Sequence, residues 1–164
     1  MVMSTAIRRI LYTAVPLVLV SCEAPPEEAP PPPEAMSEAG ATAMRNAFVN
    51  TYMRKDATGA AVFYADDAVL YGSDGAVHTG KAAIEAEFTS MIEAGMDSLG
   101  LVAESFEASG DEAIELGTFI MRTLDPQTKE ATRVGGGYRR VSQRGADGSF
   151  KVVLDSVWAT GDPM

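Results

Sequence analysis

From Ala41 onward the side chains first recur at helical spacing and then alternate, and that switch divides the chain into two parts. Met44, Ala47, Phe48, Thr51, Tyr52 and Lys55 stand three and four residues apart, which predicts an amphipathic helix through about Arg54 with Ser37 or Thr42 as its cap. Asp56 suits the cap of a second, short helix from Ala57 to Tyr64, with Ala61 and Tyr64 on one side, ending before Ala65-Asp66-Asp67. Ala68 to Tyr71 reads as a short strand, closed by the turn residues Gly72-Ser73-Asp74-Gly75. Gly80 then precedes a third helix, Lys81 to about Ala94, with Ile84, Phe88, Met91 and Ile92 on its buried stripe.

Beyond Leu99 the period becomes two. Leu99, Leu101, Ala103 and Ser105 form one alternating set, and Ile114, Leu116, Thr118 and Ile120 another within Ala113 to Arg122. These predict two strands joined across Ala108-Ser109-Gly110-Asp111. Asp125-Pro126-Gln127-Thr128 is a second turn, followed by a long strand from Glu130 to Gln143 that Gly135-Gly136-Gly137 interrupts. Ala146-Asp147-Gly148 turns the chain into a last strand, Phe150 to Ala159. Three helices with a short strand among them, followed by four antiparallel strands, make an α+β pattern, and no internal repeat is visible. Three glycines in one strand suit a bulge or sharp bend better than an anion-binding nest, because no helix follows them.

The first forty residues are of another kind. Arg8 and Arg9 precede the apolar run Ile10 to Val20, too short for a membrane-spanning helix of about 20 residues and suited to a secretory signal. It ends in Leu19-Val20-Ser21-Cys22, which resembles a bacterial lipobox, whose Cys receives diacylglycerol before cleavage in front of it. Residues 1–21 are thus expected to be a lipoprotein signal peptide and Cys22 the lipidated residue, which would anchor the protein on a membrane without a spanning helix. Glu23 rather than Asp follows, and by the same resemblance this implies the outer membrane of the cell envelope over the inner. Residues 22–40, rich in Pro and Glu, cannot build a core and read as an extended tether rising about 3.1 Å per residue. A groove-binding proline ligand is the rival reading, but no basic residue flanks the prolines to orient it. Residues 41–164 form the folded domain.

Charge and composition narrow the function. The 164 residues carry 13 Lys and Arg against 23 Asp and Glu, a net charge of −10, which repels phosphate backbones, so no nucleic-acid partner is expected. Cleavage before Cys22 would remove two bases and no acid, deepening that acidity. One Cys and one His cannot make an internal disulfide or a closed zinc site of the Cys/His kind, and no metal or cofactor is expected. Any triad built on histidine would centre on His78.

Two segments resemble the NTF2-like superfamily, in particular its SnoaL-like and DUF4440 branch, related to ketosteroid isomerase. The first is Lys55-Asp56 through Tyr64-Ala65-Asp66-Asp67-Ala68-Val69-Leu70 and Gly80-Lys81-Ala82-Ala83-Ile84 to Phe88; Lys55 stands where the family usually has Gly. The second runs from Gly137-Tyr138 through the Asp-Gly turn to Asp155 and Trp158, with Asp and Trp three apart where two is commoner. The resemblance covers roughly residues 41–160. It implies a cone: three N-terminal helices packed in a strongly curved, mostly antiparallel sheet around an apolar pocket. A homodimer through the open sheet face is part of the leading expectation for the protein.

Carried over residue by residue, the isomerase apparatus is missing. Its first-helix Tyr falls on Phe48, its base on Gly72, and its second acid between about Val134 and Gly137, where no carboxyl occurs. Steroid isomerisation by that mechanism is therefore not expected. Phe48, Tyr52, Leu70, Phe88, Met91, Tyr138 and Trp158 are the expected pocket lining. Asp66-Asp67 reads as structural, since neighbours in a strand point to opposite sides. Asp155, an acid within an apolar strand, and His78, in a connection before the third helix, are the candidate catalytic groups. The leading expectation is a lipid-anchored envelope protein binding a small apolar or amphipathic molecule. An enzyme of lyase, isomerase or hydrolase type using Asp155 or His78, and a protein-interaction module, are the alternatives.

Overall fold

The computed structural model describes residues 34–160. The signal segment, Cys22 and the tether as far as residue 33 lie outside them. Helix α1, Glu38–Met53, starts within the stretch that composition assigns to the tether: the Ser37 hydroxyl accepts from the Gly40 amide at 3.1 Å and caps it. Its buried face is Ala41, Phe48 and Tyr52, while Ala47 faces solvent. The chain leaves α1 through Lys55, whose φ of 66° is left-handed. This is the position where the related pattern has glycine, which takes that conformation without a Cβ penalty. The Lys55 ammonium reaches across to donate to the carbonyl of Met96.

Helix α2, Ala57–Ala61, is capped by Asp56, whose carboxylate accepts from the Gly59 amide at 2.7 Å. It is shorter than the spacing predicts. Strand β1 begins at Tyr64 and runs to Tyr71, so Tyr64 belongs to the sheet and not to the helix. The carbonyl of Phe63 already accepts from the Val152 amide at 2.9 Å, and that sheet bond ends the helical stretch. Three residues missed as a strand, Val77–Thr79, form β2 and pair antiparallel with β1. The intervening turn is fixed by Gly75 at φ 86° and by Asp74, which accepts from the Ala76 amide at 2.9 Å. Helix α3, Lys81–Glu93, buries Ile84 and Phe88.

The remaining strands are β3, Met96–Ser109, β4, Glu112–Leu124, β5, Ala131–Arg144, and β6, Phe150–Ala159. The sheet order is β2-β1-β6-β5-β4-β3. Every neighbouring pair is antiparallel except β1 with β6, which is parallel, so the six-stranded sheet is mixed. The three helices are not contiguous, because β1 and β2 intervene before α3. One face of the sheet carries the helices, and between them lies a core of Phe48, Tyr52, Tyr64, Ile84, Phe88 and Met96 with their neighbours.

The expected bulge at Gly135 to Gly137 is not there. These residues pair in unbroken register with Ile120, Phe119 and Thr118 of β4. The register breaks lie elsewhere: two in β3, one between Val141 and Ser142, and one in β1 between Tyr64 and Val69. The glycines serve close approach instead. A Cβ on Gly137 would sit 2.2 Å from Cζ2 of Trp158, and one on Gly136 only 1.9 Å from the Trp158 carbonyl. Among the described residues no helix is long and apolar enough to cross a membrane.

Candidate functional site

Between the helices and the inner sheet face lies a cavity of about 290 Å³, at the small end of the range that holds organic ligands. Phe48 and Tyr52 come from α1, Phe88 and Met91 from α3, and Leu99, Leu101, Phe119 and Met121 from β3 and β4. Leu70, Tyr138 and Val157 complete the apolar wall. The rings of Phe48, Tyr52, Tyr64 and Phe88 pack on one another with centroids 5.1 to 6.1 Å apart, which fixes the wall as a rigid aromatic cluster.

Its polar floor is a cross-strand pair. Arg140 on β5 stands opposite Asp155 on β6, and both point inward because alternate residues of a strand share a face. Arg140 donates from Nε at 3.0 Å and from Nη2 at 2.7 Å, and the Tyr64 hydroxyl donates at 2.7 Å, all to Oδ2 of Asp155. Oδ1 of the same carboxylate is buried and has no partner among the described residues. Burial is the largest single influence and would lower the pKa of the guanidinium, but the charge of Asp155, its hydrogen bonds and the neighbouring phenols together outweigh it and raise Arg140 above its ordinary value. The guanidinium lies over the rings of Phe48, at 4.9 Å, and Tyr138, at 5.7 Å.

A second polar cluster backs the first. The Tyr138 hydroxyl donates to Glu115 Oε1 at 2.8 Å, and Arg45 of α1 donates to the other oxygen of that buried carboxylate. Burial first, and then Glu115, push the Tyr138 phenol well above its usual range. Tyr64 is raised by burial and then by the charge of Asp155, and Tyr52 by burial and then by Glu87. All three therefore stay protonated at neutral pH and keep donating. Tyr52 donates weakly to the sulfur of Met91 at 3.4 Å.

The rim is acidic. Gly72, Ser73 and Asp74 of the β1–β2 turn border the cavity, with Glu87 of α3. His78 does not line it. Its Nε2 is 3.6 Å from Glu87 Oε2, and it sits in β2 opposite Leu70, where it touches the rim only through Glu87. Trp158 is also outside. Val157 takes the inward position of β6, so its neighbour Trp158 faces the opposite side of the sheet and is 45% exposed. The expectation that Trp158 lines the pocket is corrected by this alternation. Asp66 lies on the surface bonded to Lys81, whose hydrogen bond holds its carboxyl below the usual range.

Phe48 and Gly72, the positions onto which the isomerase Tyr and base fall, both border the cavity and offer neither a side-chain donor nor a base. Arg140, Tyr64, Glu87 and Glu115 carry the polar chemistry and were not singled out from sequence. Arg140 had a signal: it lies two residues after Tyr138 in a strand, hence on the same face, as a charge among apolar neighbours.

Comparison with known proteins places this architecture. The chain superposes on a ketosteroid isomerase-like protein from Erwinia carotovora atroseptica with a TM-score of 0.65 and 18% identity, covering 73% of this chain and 93% of that one. An NTF2-like superfamily protein from Salmonella enterica serovar Typhimurium gives 0.66 and 10%, covering 77% and 92%. A conserved protein from Planctomyces limnophilus gives 0.68 and 11%, covering 75% and 95%. The fold is thus NTF2-like, α+β with a mixed six-stranded sheet. Residues 46–149 match the SnoaL-like domain, and the chain belongs to that family. No curated protein matches the chain.

Proposed function

We propose that this is a lipid-anchored cell-envelope protein whose SnoaL-like domain binds a small apolar or amphipathic molecule. The observation that carries the binding role is the cavity, walled by aromatic and aliphatic side chains above the Arg140–Asp155 floor. Native mass spectrometry and thermal shift with a panel of apolar probes test it. A probe that binds and is lost on Leu101→Trp, which fills the cavity, supports the role. If no probe binds and none is retained on purification, the role is wrong.

The anchor rests on the lipobox pattern at Cys22 and the tether on the prolines behind it. A second copy of the chain is the proposed partner. The outer sheet face exposes Val102, Leu116, Ile120 and Trp158, and the register places Glu107 and Glu112 toward one end of it and Arg122 and Arg133 toward the other. A two-fold axis through such a face would set acid against base.

An enzyme reading has one specific observation in its favour: Asp155 lines the cavity and its buried Oδ1 has no hydrogen-bond partner among the described residues. Turnover of any bound substrate that survives Asp155→Asn at full rate would remove it.

A further inference from the structure

Two polar clusters lie side by side on the inner sheet face, and no side-chain hydrogen bond among the described residues joins them. In one, Tyr64 and Arg140 converge on Asp155; in the other, Tyr138 and Arg45 converge on Glu115. Glu115 and Arg140 are nevertheless register partners on β4 and β5. Where the clusters meet is a second, small cavity of about 20 Å³, lined by Arg45, Glu115, Arg140 and Ser142, with Met44, Phe106 and Ala113 in its apolar wall. A single water needs roughly 10–15 Å³ for its centre, so one molecule of that size fits and little else does. The same four side chains hold unspent polar atoms. Nε of Arg45 is buried and has no partner among the described residues. Arg140 uses Nε and Nη2 on Asp155, and its Nη1 makes no bond to a described residue. The hydroxyl of the buried Ser142 is likewise without a described partner. Each Glu115 oxygen accepts one bond and has a lone pair left. A buried N–H without an acceptor is unfavourable, and the described apolar wall has no side chain to serve it.

We propose that this small cavity is a binding site for one water molecule, which accepts from Arg45 Nε and Arg140 Nη1 and donates to the Ser142 oxygen and a Glu115 oxygen. The occupant is neutral because the charges around it already balance, Arg45 with Glu115 and Arg140 with Asp155. A halide would add a buried charge without a counter-ion, and a cation would meet two guanidiniums. The bridge turns the two clusters into one network that runs from α1 across β4, β5 and β6 to β1. It holds the Arg140 guanidinium at Nη1 while Asp155 holds it at Nε and Nη2, so the floor of the large cavity is tied to α1 as well as to β6. This site does not depend on the large cavity taking a ligand.

Two measurements on the full chain test it. In crystals grown with sodium bromide, one density peak is expected within hydrogen-bond distance of Arg45 Nε and Arg140 Nη1, without the anomalous signal of bromide. An anomalous peak there would make this a halide site and the absence of any peak would remove the site, and either result overturns the proposal. In solution, oxygen-17 relaxation dispersion counts long-lived waters. Ser142→Val fills the small cavity and leaves both ion pairs in place, so the folded variant should lose one such water relative to the natural chain. An unchanged count in a variant with the natural far-ultraviolet spectrum overturns the bridge. The crystal result decides the matter by itself where that variant does not fold.

Discussion

The Tyr64 hydroxyl donates to Asp155 Oδ2 at 2.7 Å, tying the first residue of β1 to the strand that runs parallel beside it. Arg140 bonds the same oxygen, so three donors converge on one atom from β1 and β5. Buried pairs of this kind are costly to break because the survivor stays charged in a medium that solvates it poorly. Asp155→Ala is expected to lower stability by about 3–5 kcal/mol in urea unfolding. The double variant Asp155→Leu with Arg140→Met should cost less than either single replacement. Costs that simply add would show that the two side chains are not coupled.

Tyr64→Phe tests the third donor alone. It removes a buried hydrogen bond to a carboxylate and leaves the ring packing with Phe48 and Phe88 in place. The expected loss is about 1.5–3 kcal/mol, and an unchanged urea midpoint would show that the bond contributes nothing.

The three cavity phenols set the alkaline limit of the fold. Tyr52, Tyr64 and Tyr138 are raised in the folded state, by burial before any other cause, so the native protein holds their protons more tightly than the unfolded chain does. Their contribution to stability is complete below the ordinary phenol value of about 10 and is lost as pH rises from there through the raised native values. Phenolate absorbance of these three residues should therefore appear together with loss of near-ultraviolet circular dichroism. Ionisation of all three in a still-folded protein would contradict their burial.

The order of elements was legible in the sequence because both periods are clean: Ile84 and Phe88 mark one helix face, and Ile114, Leu116, Thr118 and Ile120 mark one strand face, which proves to be the outer one. Boundaries failed where a distant bond decides them. Nothing local tells Tyr64 to join a strand, since its partners are Val152 and Asp155, far along the chain. The site failed for the same reason, since Arg140 becomes a floor residue only once β6 is laid beside β5. Trp158 was misplaced by its type: a large aromatic suggests a pocket wall, yet the alternation with Val157 puts it outside. The glycines at 135 to 137 suggested a bulge, whereas they pair in register, and Gly136 and Gly137 leave room for the Trp158 ring and backbone.

That packing gives a spectroscopic prediction, since Trp158 is the sole tryptophan. Gly137→Ala would place a methyl carbon 2.2 Å from Cζ2 of the ring, so the indole must move. Overpacking of this kind costs about 1–3 kcal/mol, and the emission maximum should shift relative to the unaltered protein. An unchanged spectrum with unchanged stability would show that the ring does not lie over Gly137.

The anchor is tested in cells. Labelled palmitate and recovery in the membrane fraction are expected for the natural chain, and both should be lost on Cys22→Ala, whereas Ser21→Ala should retain them. Membrane recovery that persists without Cys22 would mean that something other than acylation holds the protein there.

The outer sheet face supplies the remaining prediction. Leu116 and Ile120 on β4, Val102 on β3 and Trp158 on β6 are 39%, 47%, 64% and 45% exposed, and the register sets Val102, Thr118, Gly137 and Trp158 in one row across four strands. Several large apolar side chains exposed on one sheet face favour burial against a partner. With a second copy as that partner, light scattering should give a dimer mass for the natural chain. Ile120→Lys, whose side chain points away from the cavity, should give a monomer with the same far-ultraviolet spectrum. In the dimer Trp158 is covered, so its emission should move to longer wavelength in the monomeric variant. A natural chain that is monomeric at every concentration, with Trp158 freely quenched by acrylamide, would leave this face to a different partner.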